Sequence, residues 1–166
     1  MKPSSSIKKF YHKHSEQIRI TPRVLKIIAT VPQFIMGKYV LDVGCGNEFI
    51  TKCMSVYTTI KGIDIDDSIL EYKSPIQYDA VTCFDVLEHV GDLVTALDNI
   101  RRICKNEGLM IINQPEQIDK SQPIDNIVEL KTLMGLGKLI YLENYRFFEN
   151  ESYNFMVFQK NENIIN

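Results

Sequence analysis

The stretch YVLDVGCGNEFI, residues 39–50, predicts the centre of the fold. The run Val40–Val43 is mostly apolar and β-branched, which is typical of a strand covered on both faces. Gly44 and Gly46 follow, and residues without a Cβ allow a sharp turn and a close approach of the backbone to a ligand. A helix that begins near Phe49 would direct its unpaired N–H groups toward that ligand. The stretch therefore predicts the opening unit of a nucleotide-binding α/β sheet, although such a turn also joins strands to helices that bind nothing.

A second segment, KGIDID at residues 61–66, predicts a strand that ends in acidic residues. Asp64 lies about twenty residues beyond the glycine turn, the distance at which a carboxylate accepts hydrogen bonds from both hydroxyls of a ribose. The alternative is a carboxylate that caps a helix or a turn. Because Asp64 occurs together with the glycine turn, we favour the ribose interpretation.

A third segment, YDAVTCFDVLEHV at residues 78–90, completes an ordered set with VLDVGCG at 40–46 and GID at 62–64. With these three motifs the sequence resembles the class I S-adenosylmethionine-dependent methyltransferases, and among them the ubiquinone-biosynthesis O-methyltransferases. The resemblance extends from about Arg19 to Asn113. It implies a Rossmann-like α/β fold, with a mostly parallel sheet and an antiparallel C-terminal hairpin. It also implies S-adenosylmethionine as the cofactor.

The whole chain is expected to form one methyltransferase domain. Residues 1–36 would supply N-terminal lid helices, residues 37–113 the cofactor-binding core, and residues 114–160 a C-terminal helix and hairpin. The stretch Asp67–Gln77 is too short for the helix and strand that usually precede the third motif, and Pro75 interrupts it. We therefore expect the usual third strand, at the edge of the sheet, to be missing.

The remaining elements follow from apolar periodicity and from turn residues. Helices are predicted at 7–18, 49–57, 92–104 and 123–136. Another helix is predicted from Thr21 onward, with Thr21 as its N-cap and Pro22 at its first position. Further strands are predicted at 58–64, 79–84, 109–112, 139–147 and 153–159. The residues 105–108 should form a turn.

The resemblance also implies a set of cofactor contacts. The backbone from Gly44 through Cys45 to Gly46 would lie near the methionine part of the cofactor. Phe84 would form an apolar wall. Asp85 leaves the carboxyl end of the same predicted strand, where open α/β sheets bind ligands.

Two further contacts concern the ends of the cofactor. Ile65, with Ile69, would cover the adenine ring in place of residues from the missing strand. Arg23 would bind the cofactor's carboxylate with its planar guanidinium, and Arg19 is the substitute candidate. A solvated arginine on the helix surface is the alternative for Arg23.

Two acidic residues beside the turn have open roles. Asp42 either orders the glycine turn through backbone N–H groups or reaches the cofactor's ammonium group. Glu48 stands where the family often has a third glycine. Its carboxylate would repel the cofactor's carboxylate unless it points away.

His89 is the histidine nearest the motifs and is the candidate general base for a hydroxyl or amine acceptor. Asp85, Glu88 and His89 also resemble a pattern that holds a divalent metal in some relatives, and Mg²⁺ or Mn²⁺ would suit these ligands. A helix-capping glutamate beside a packed histidine is the favoured alternative, so a metal is not favoured and metal ligands remain unknown.

Composition limits the partners and the compartment. The net charge of −2 does not favour a nucleic-acid partner. The four cysteines lack C-x-x-C spacing, which favours free thiols in a reducing compartment. There is no apolar run of ~18 residues and no signal-peptide pattern, so we expect a cytoplasmic protein without a membrane partner. The oligomeric state cannot be read from the sequence.

The leading hypothesis is an S-adenosylmethionine-dependent methyltransferase that methylates a small molecule, at oxygen, by in-line transfer. A catalytically inactive methyltransferase-like binding or scaffold domain is the alternative, because of Glu48 and the missing strand. A nicotinamide-linked oxidoreductase is disfavoured, since the later glycine of a dinucleotide site is absent.

Overall fold

Six strands form one mixed sheet in the computed structural model, which describes residues 20–64, 69–117, 128–148 and 151–161. The strands are β1 Tyr39–Val43, β2 Thr59–Ile63, β3 Tyr78–Phe84, β4 Cys104–Gln117, β5 Lys138–Phe148 and β6 Glu151–Gln159. The helices are α1 Pro22–Thr30, α2 Pro32–Ile35, α3 Phe49–Met54, α4 Leu93–Ile103 and α5 Leu130–Leu133. Short 3₁₀ turns cover Leu87–His89 and Met134–Leu136.

The order of the strands is β2-β1-β3-β4-β6-β5. β1 is parallel to β2 and to β3, and β3 is parallel to β4. β6 is antiparallel to both β4 and β5. This arrangement confirms the predicted Rossmann-like sheet with an antiparallel C-terminal hairpin. Because the chain passes from β1 to β2 on one side and then to β3 on the other, the carboxyl end of β1 lies at a topological switch point.

The segment between β2 and β3 agrees with the expected loss of the third strand. Its described residues, 69–77, contain turns and bends but no strand. β2 therefore lies at one edge of the described sheet, next to β1.

Helix α1 begins where the sequence predicts it. The side chain of Thr21 accepts a hydrogen bond from the backbone N–H of Val24 at 3.3 Å, and Pro22 occupies the first helical position. Val24 and Ile27 are buried, and Ile27 packs with residues of the sheet such as Val40. The N-cap and the apolar face thus fix the start of α1 and its orientation.

Several predicted boundaries are wrong. α3 ends at Met54 instead of residue 57. The predicted turn at 105–108 belongs to β4, where it causes a shift of register against β3 and places Glu107 at a φ of 59°. The predicted helix at 123–136 is reduced, in its described part, to α5 and a 3₁₀ turn. Its first residues lie outside the described part of the chain. The predicted helix at 7–18 and Arg19, the substitute candidate for Arg23, also lie outside it.

Apolar side chains fill both faces of the sheet because neighbouring residues of a strand point to opposite sides. One layer packs below α1 and α3 and contains Ile27, Val40, Met54, Ala80 and Phe84. The other packs against α4 and contains Leu41, Val81, Cys83, Leu97 and Ile100. Within the described residues, none of the helices has the length and apolarity that a membrane crossing requires.

Candidate functional site

An open cleft of about 450 Å³ lies at the carboxyl ends of β1 and β2. It is lined by residues 45–48 and residues 62–64. The backbone N–H groups of Gly44 and Cys45 donate hydrogen bonds to the carbonyl oxygen of Ile63, at 2.7 and 3.1 Å. These two bonds tie the glycine turn to the end of β2, so that Asp64, the next residue, lines the same cleft as the turn.

The two glycines of the turn differ in their surroundings. Both have positive φ values, 76° at Gly44 and 53° at Gly46, where a side chain is strained. A Cβ on Gly44 would lie 2.1 Å from Cγ2 of Val86, whereas a Cβ on Gly46 would meet nothing within 4 Å. Gly44 therefore packs tightly on the segment after β3, and Gly46 leaves open space.

Cys45 closes the inner side of the turn. A Cβ on Gly62 would lie 2.7 Å from the sulfur of Cys45, so this glycine of β2 leaves room for the thiol. Burial, with the negative charges of Asp42 and Asp64, raises the pKa of the Cys45 thiol to about 12. The thiol therefore stays protonated near neutral pH and fills space as a small apolar group.

Asp42 is buried below the turn, with 2% of its surface exposed. Its two carboxylate oxygens accept hydrogen bonds from the hydroxyls of Thr51, at 2.5 Å, and Thr82, at 2.7 Å. Burial raises its pKa to about 6, and the two hydroxyls act in the opposite direction. These bonds connect β1 to α3 and to β3, and neither donor is a backbone N–H group of the glycine turn. The contact of Asp42 with the cofactor's ammonium group stays a prediction. Thr82 is a polar residue within the otherwise apolar run of β3, and this is the sequence feature that could have indicated the network.

Glu48 adopts the left-handed conformation that a glycine would prefer, with φ 60° and ψ 14°. Its exposed carboxylate lies 3.2 Å from the ammonium of Lys52, one helical turn later. The residue lines the cleft. The structure therefore explains the family's preference for glycine here by backbone conformation, and it places the carboxylate of Glu48 against a lysine.

A second group of predicted residues lies at the carboxyl end of β3. Nη1 of Arg23 is 2.6 Å from Oδ2 of Asp85, and the guanidinium carbon lies 5.4 Å from the centre of the Tyr153 ring. The amide of Asn113 donates to Oδ1 of Asp85 at 3.1 Å, and the hydroxyl of Tyr145 donates to the Asn113 side-chain oxygen. Arg23 is therefore not a freely solvated surface arginine. Asn113, Tyr145 and Tyr153 belong to no sequence motif and were not predicted as part of the site.

Burial and the neighbouring charges act on the ionisation of this group. The carboxylate of Asp85 raises the pKa of Arg23 although burial opposes this. Burial raises the pKa of Asp85, and Arg23 and Asn113 counteract that rise. The ion pair therefore favours the charged form of Asp85, whereas the guanidinium of Arg23 is charged in any case.

Glu88 and His89 lie in the 3₁₀ turn that follows. Glu88 is 4% exposed, and burial together with Asp85 raises its pKa to about 8. Nε2 of His89 lies 3.9 Å from Oε1 of Glu88, and 17% of the His89 side chain is exposed. Among the residues that the structure describes, no group of three or more His, Cys, Asp or Glu side chains could hold a metal ion.

The structure thus divides the predicted site residues between two places. Cys45, Gly46 and Asp64 line the cleft, with the backbone of Gly44 beside them. Arg23, Asp85 and Phe84 lie beyond its described lining, and Phe84 packs in the apolar layer below α1. Val86 connects the two places through its contact with Gly44. Ile65 lies outside the described residues, so its expected contact with adenine stays a prediction, as do the ligand contacts of the other residues.

Comparison with known families agrees with the geometry. The profile of the family described as methyltransferase domain matches residues 13–158, which is most of the chain. The chain belongs to this family of class I, S-adenosylmethionine-dependent methyltransferases. The match covers the glycine turn, Asp64 and the segment after β3. It also includes the C-terminal hairpin, where the sequence motifs had faded.

Curated relatives include two ubiquinone biosynthesis O-methyltransferases. The protein of Klebsiella pneumoniae subsp. pneumoniae is 31% identical over 115 residues, which are 54% of this chain and 48% of that protein. The protein of Nitrosomonas europaea is 27% identical over 127 residues, which are 61% of this chain and 54% of that protein. The chain therefore spans about half the length of these relatives.

Solved structures of methyltransferases share the fold. The N-methyltransferase NodS of Bradyrhizobium japonicum WM9, in complex with S-adenosyl-L-homocysteine, superposes with a TM-score of 0.75 over 93% of this chain and 98% of that one, at 12% identity. The 1,6-didemethyltoxoflavin-N1-methyltransferase of Burkholderia thailandensis has a TM-score of 0.72 over 95% of this chain and 87% of that one, at 15% identity. The fold of these methyltransferases thus extends over nearly the whole of this chain.

Proposed function

We propose that the protein is an S-adenosylmethionine-dependent methyltransferase of small molecules, acting at oxygen. The observation that carries the proposal is the shared cleft of Asp64 and the glycine turn. The cleft lies at the switch point of the sheet, and the backbone of Gly44 and Cys45 is bonded to the residue before Asp64. This is where a doubly wound sheet binds a nucleoside.

The residues present fit this cofactor. Asp64 is exposed in the cleft and offers two oxygens to the ribose hydroxyls. The space above Gly46 is open, so the methionine part can approach the backbone there. Arg23 offers a cation at the neighbouring strand end for the cofactor's carboxylate. The cofactor, when bound, supplies a methyl group that is already strongly electrophilic.

The protein's own contribution is then to position the two reactants and to exclude water. His89 and Glu88 are the titratable residues after β3 that could accept the acceptor's proton. We keep His89 as the proposed base, since its side chain is partly exposed whereas that of Glu88 is buried. The choice of oxygen rests on the relatives, which are O-methyltransferases by name. The proposed partner is a small-molecule methyl acceptor.

Binding of S-adenosylhomocysteine, measured by calorimetry, tests the proposal without requiring a known acceptor. Wild type is expected to bind it, and Asp64→Ala is expected to lose binding because the ribose hydroxyls lose their acceptor. Asp98→Ala removes an exposed carboxylate of α4 and serves as the matched control. If wild type binds neither the cofactor nor its demethylated product at millimolar concentration, the proposal is wrong.

The inactive-domain alternative makes the same binding prediction and differs in turnover. A panel of phenols, carboxylic acids and amines, assayed with radiolabelled cofactor, separates the two. Transfer to a phenol supports O-methylation, and transfer only to an amine would replace oxygen by nitrogen in the proposal. Binding without transfer to any of these classes would favour the inactive domain.

A further inference from the structure

A continuous chain of polar contacts joins the C-terminal hairpin to Arg23. The hydroxyl of Tyr145, on β5, donates to the side-chain oxygen of Asn113 on β4. The amide nitrogen of Asn113 donates to Oδ1 of Asp85 at 3.1 Å, and Oδ2 of Asp85 lies 2.6 Å from Nη1 of Arg23. We call these four residues the polar chain. Tyr145 and Asn113 are buried, so their contacts are shielded from water.

Asp85 is held in an unusual backbone conformation within the polar chain. Its φ is 55°, a left-handed value that is strained for a residue with a side chain. The backbone N–H of Asp85 donates to the carbonyl oxygen of Asn113 at 2.8 Å, in addition to the bond between their side chains. Asn113 thus fixes Asp85 twice. Such strain, when the surroundings maintain it, is typical of functional sites.

Arg23 is held along one side of its guanidinium. Asp85 forms an ion pair with Nη1, and the guanidinium carbon lies over the ring of Tyr153, 5.4 Å from the centre of the ring. A guanidinium has five N–H donors in a fixed fork, and the side chain of Arg23 is 30% exposed. Partly buried ion pairs contribute little net stability. We therefore explain the pairing of Arg23 with Asp85 by its effect on the orientation of the guanidinium.

The polar chain lies next to the glycine turn. Val86 follows Asp85 directly, and its side chain packs on Gly44. The carboxylate that holds Arg23 therefore belongs to the residue before the one that contacts the turn. This places the guanidinium at the same edge of the sheet as the cleft, where β1 and β3 end.

We propose that Tyr145 and Asn113 are positioning residues for the cofactor. They hold Asp85, and Asp85 holds Arg23 so that its remaining N–H groups face the carboxylate of the cofactor's methionine part. The inference rests on the proposed function and adds residues that determine the affinity for one part of the cofactor. Tyr145 of the C-terminal hairpin, remote in sequence from every cofactor motif, would then affect the affinity for the amino-acid part of the ligand through Asn113 on β4.

Two ligands test this: S-adenosylhomocysteine, which carries the amino-acid carboxylate, and 5′-methylthioadenosine, which has the same nucleoside thioether without it. Tyr145→Phe is expected to weaken binding of the first by roughly three- to tenfold, the equivalent of one hydrogen bond. Binding of the second should change less than twofold. Tyr141→Phe is the matched control, because Tyr141 lies on the same strand and its hydroxyl bonds to Glu143, outside the polar chain.

Arg23→Lys is an independent variant, because it keeps the positive charge but lacks the planar set of N–H donors of the guanidinium. The same selective loss for S-adenosylhomocysteine is expected, with unchanged thermal unfolding as evidence of an intact fold. Equal weakening of both ligands, or no change in either, would overturn the inference while leaving cofactor binding by the wild type intact. Failure of the wild type to bind S-adenosylhomocysteine would instead refute the proposed function.

Discussion

The side chain of Val86 packs directly on the Cα of Gly44, because a Cβ at Gly44 would lie 2.1 Å from Cγ2 of Val86. The contact joins the turn after β1 to the segment after β3. It also distinguishes Gly44 from Gly46, which has a similar positive φ but open space around its Cα.

Gly44→Ala is therefore expected to destabilise the protein more than Gly46→Ala. Strain at a positive φ costs about 1 kcal/mol, and this is the whole expected cost at Gly46. Overpacking against Val86 adds about 1–3 kcal/mol at Gly44. Urea denaturation measures both, and Val86→Ala combined with Gly44→Ala should recover part of the loss. Equal costs for the two glycine variants would show that the packing on Val86 does not matter.

Thr82→Val removes one hydrogen bond from the buried carboxylate of Asp42 and keeps the side-chain shape. We expect a loss of roughly 1–3 kcal/mol in the free energy of unfolding, because a buried acceptor is left unpaired. The pKa of Asp42 should rise further above 6, since the Thr82 hydroxyl lowers it. Thr95→Val is the exposed counterpart, as its hydroxyl bonds to the carboxylate of Asp92 at 2.8 Å. That control should cost no more than about 0.5 kcal/mol, and a similar cost at both positions would argue against a role of burial.

Glu48→Gly is expected to stabilise the protein and to strengthen cofactor binding. Glycine relieves the left-handed strain, about 1 kcal/mol, and removes a negative charge from the cleft. Glu48→Gln removes the charge alone. If Coulomb repulsion of the cofactor's carboxylate matters, both variants should gain roughly two- to fivefold in affinity for S-adenosylhomocysteine, and only the glycine variant should unfold at higher denaturant. Unchanged affinity in both would mean that the Glu48 carboxylate stays on Lys52.

Glu88→Gln should change how stability depends on pH. Burial raises the pKa of Glu88 from its ordinary 4.5 to about 8 in the folded state, with Asp85 acting in the same direction and Arg23 against it. Between these values the folded state binds more protons than the unfolded state, so the free energy of unfolding falls as pH rises, by at most about 1.4 kcal/mol per pH unit.

The comparison is cleanest from pH 6.5 to 8.5, above the pKa of about 6 to which burial raises Asp42, which acts in the same direction at lower pH. Denaturation curves of wild type should lose stability over this range, and those of Glu88→Gln should lose less. Parallel pH profiles for the two proteins would show that Glu88 ionises at its ordinary pKa in the folded state.

The local sequence was sufficient to predict the nucleotide-binding half of the sheet. The glycine turn, the strand before it and the N-cap at Thr21 depend on residues within a few positions of one another, so propensity and periodicity reveal them. The order of three motifs likewise indicated the family before any contact was known. The boundaries that failed, at 105–108 and 123–136, depend instead on pairing with β3 and β6 and on packing, which act across long stretches of sequence.

What only the tertiary structure decided is which side chains share an environment. Asp42 meets Thr82 across 40 positions, and Asp85 meets Asn113 across 28. Nothing in the local pattern around either residue specifies such a partner. The sequence alone identified the glycine turn and Asp64, because backbone freedom and spacing are local properties. The polar chain that holds Arg23 depends on two long-range pairings. Parallel β3 and β4 bring Asp85 to Asn113, and the antiparallel hairpin brings Tyr145 to Asn113. The fold, and not the neighbouring sequence, thus decides which partners a buried charge has.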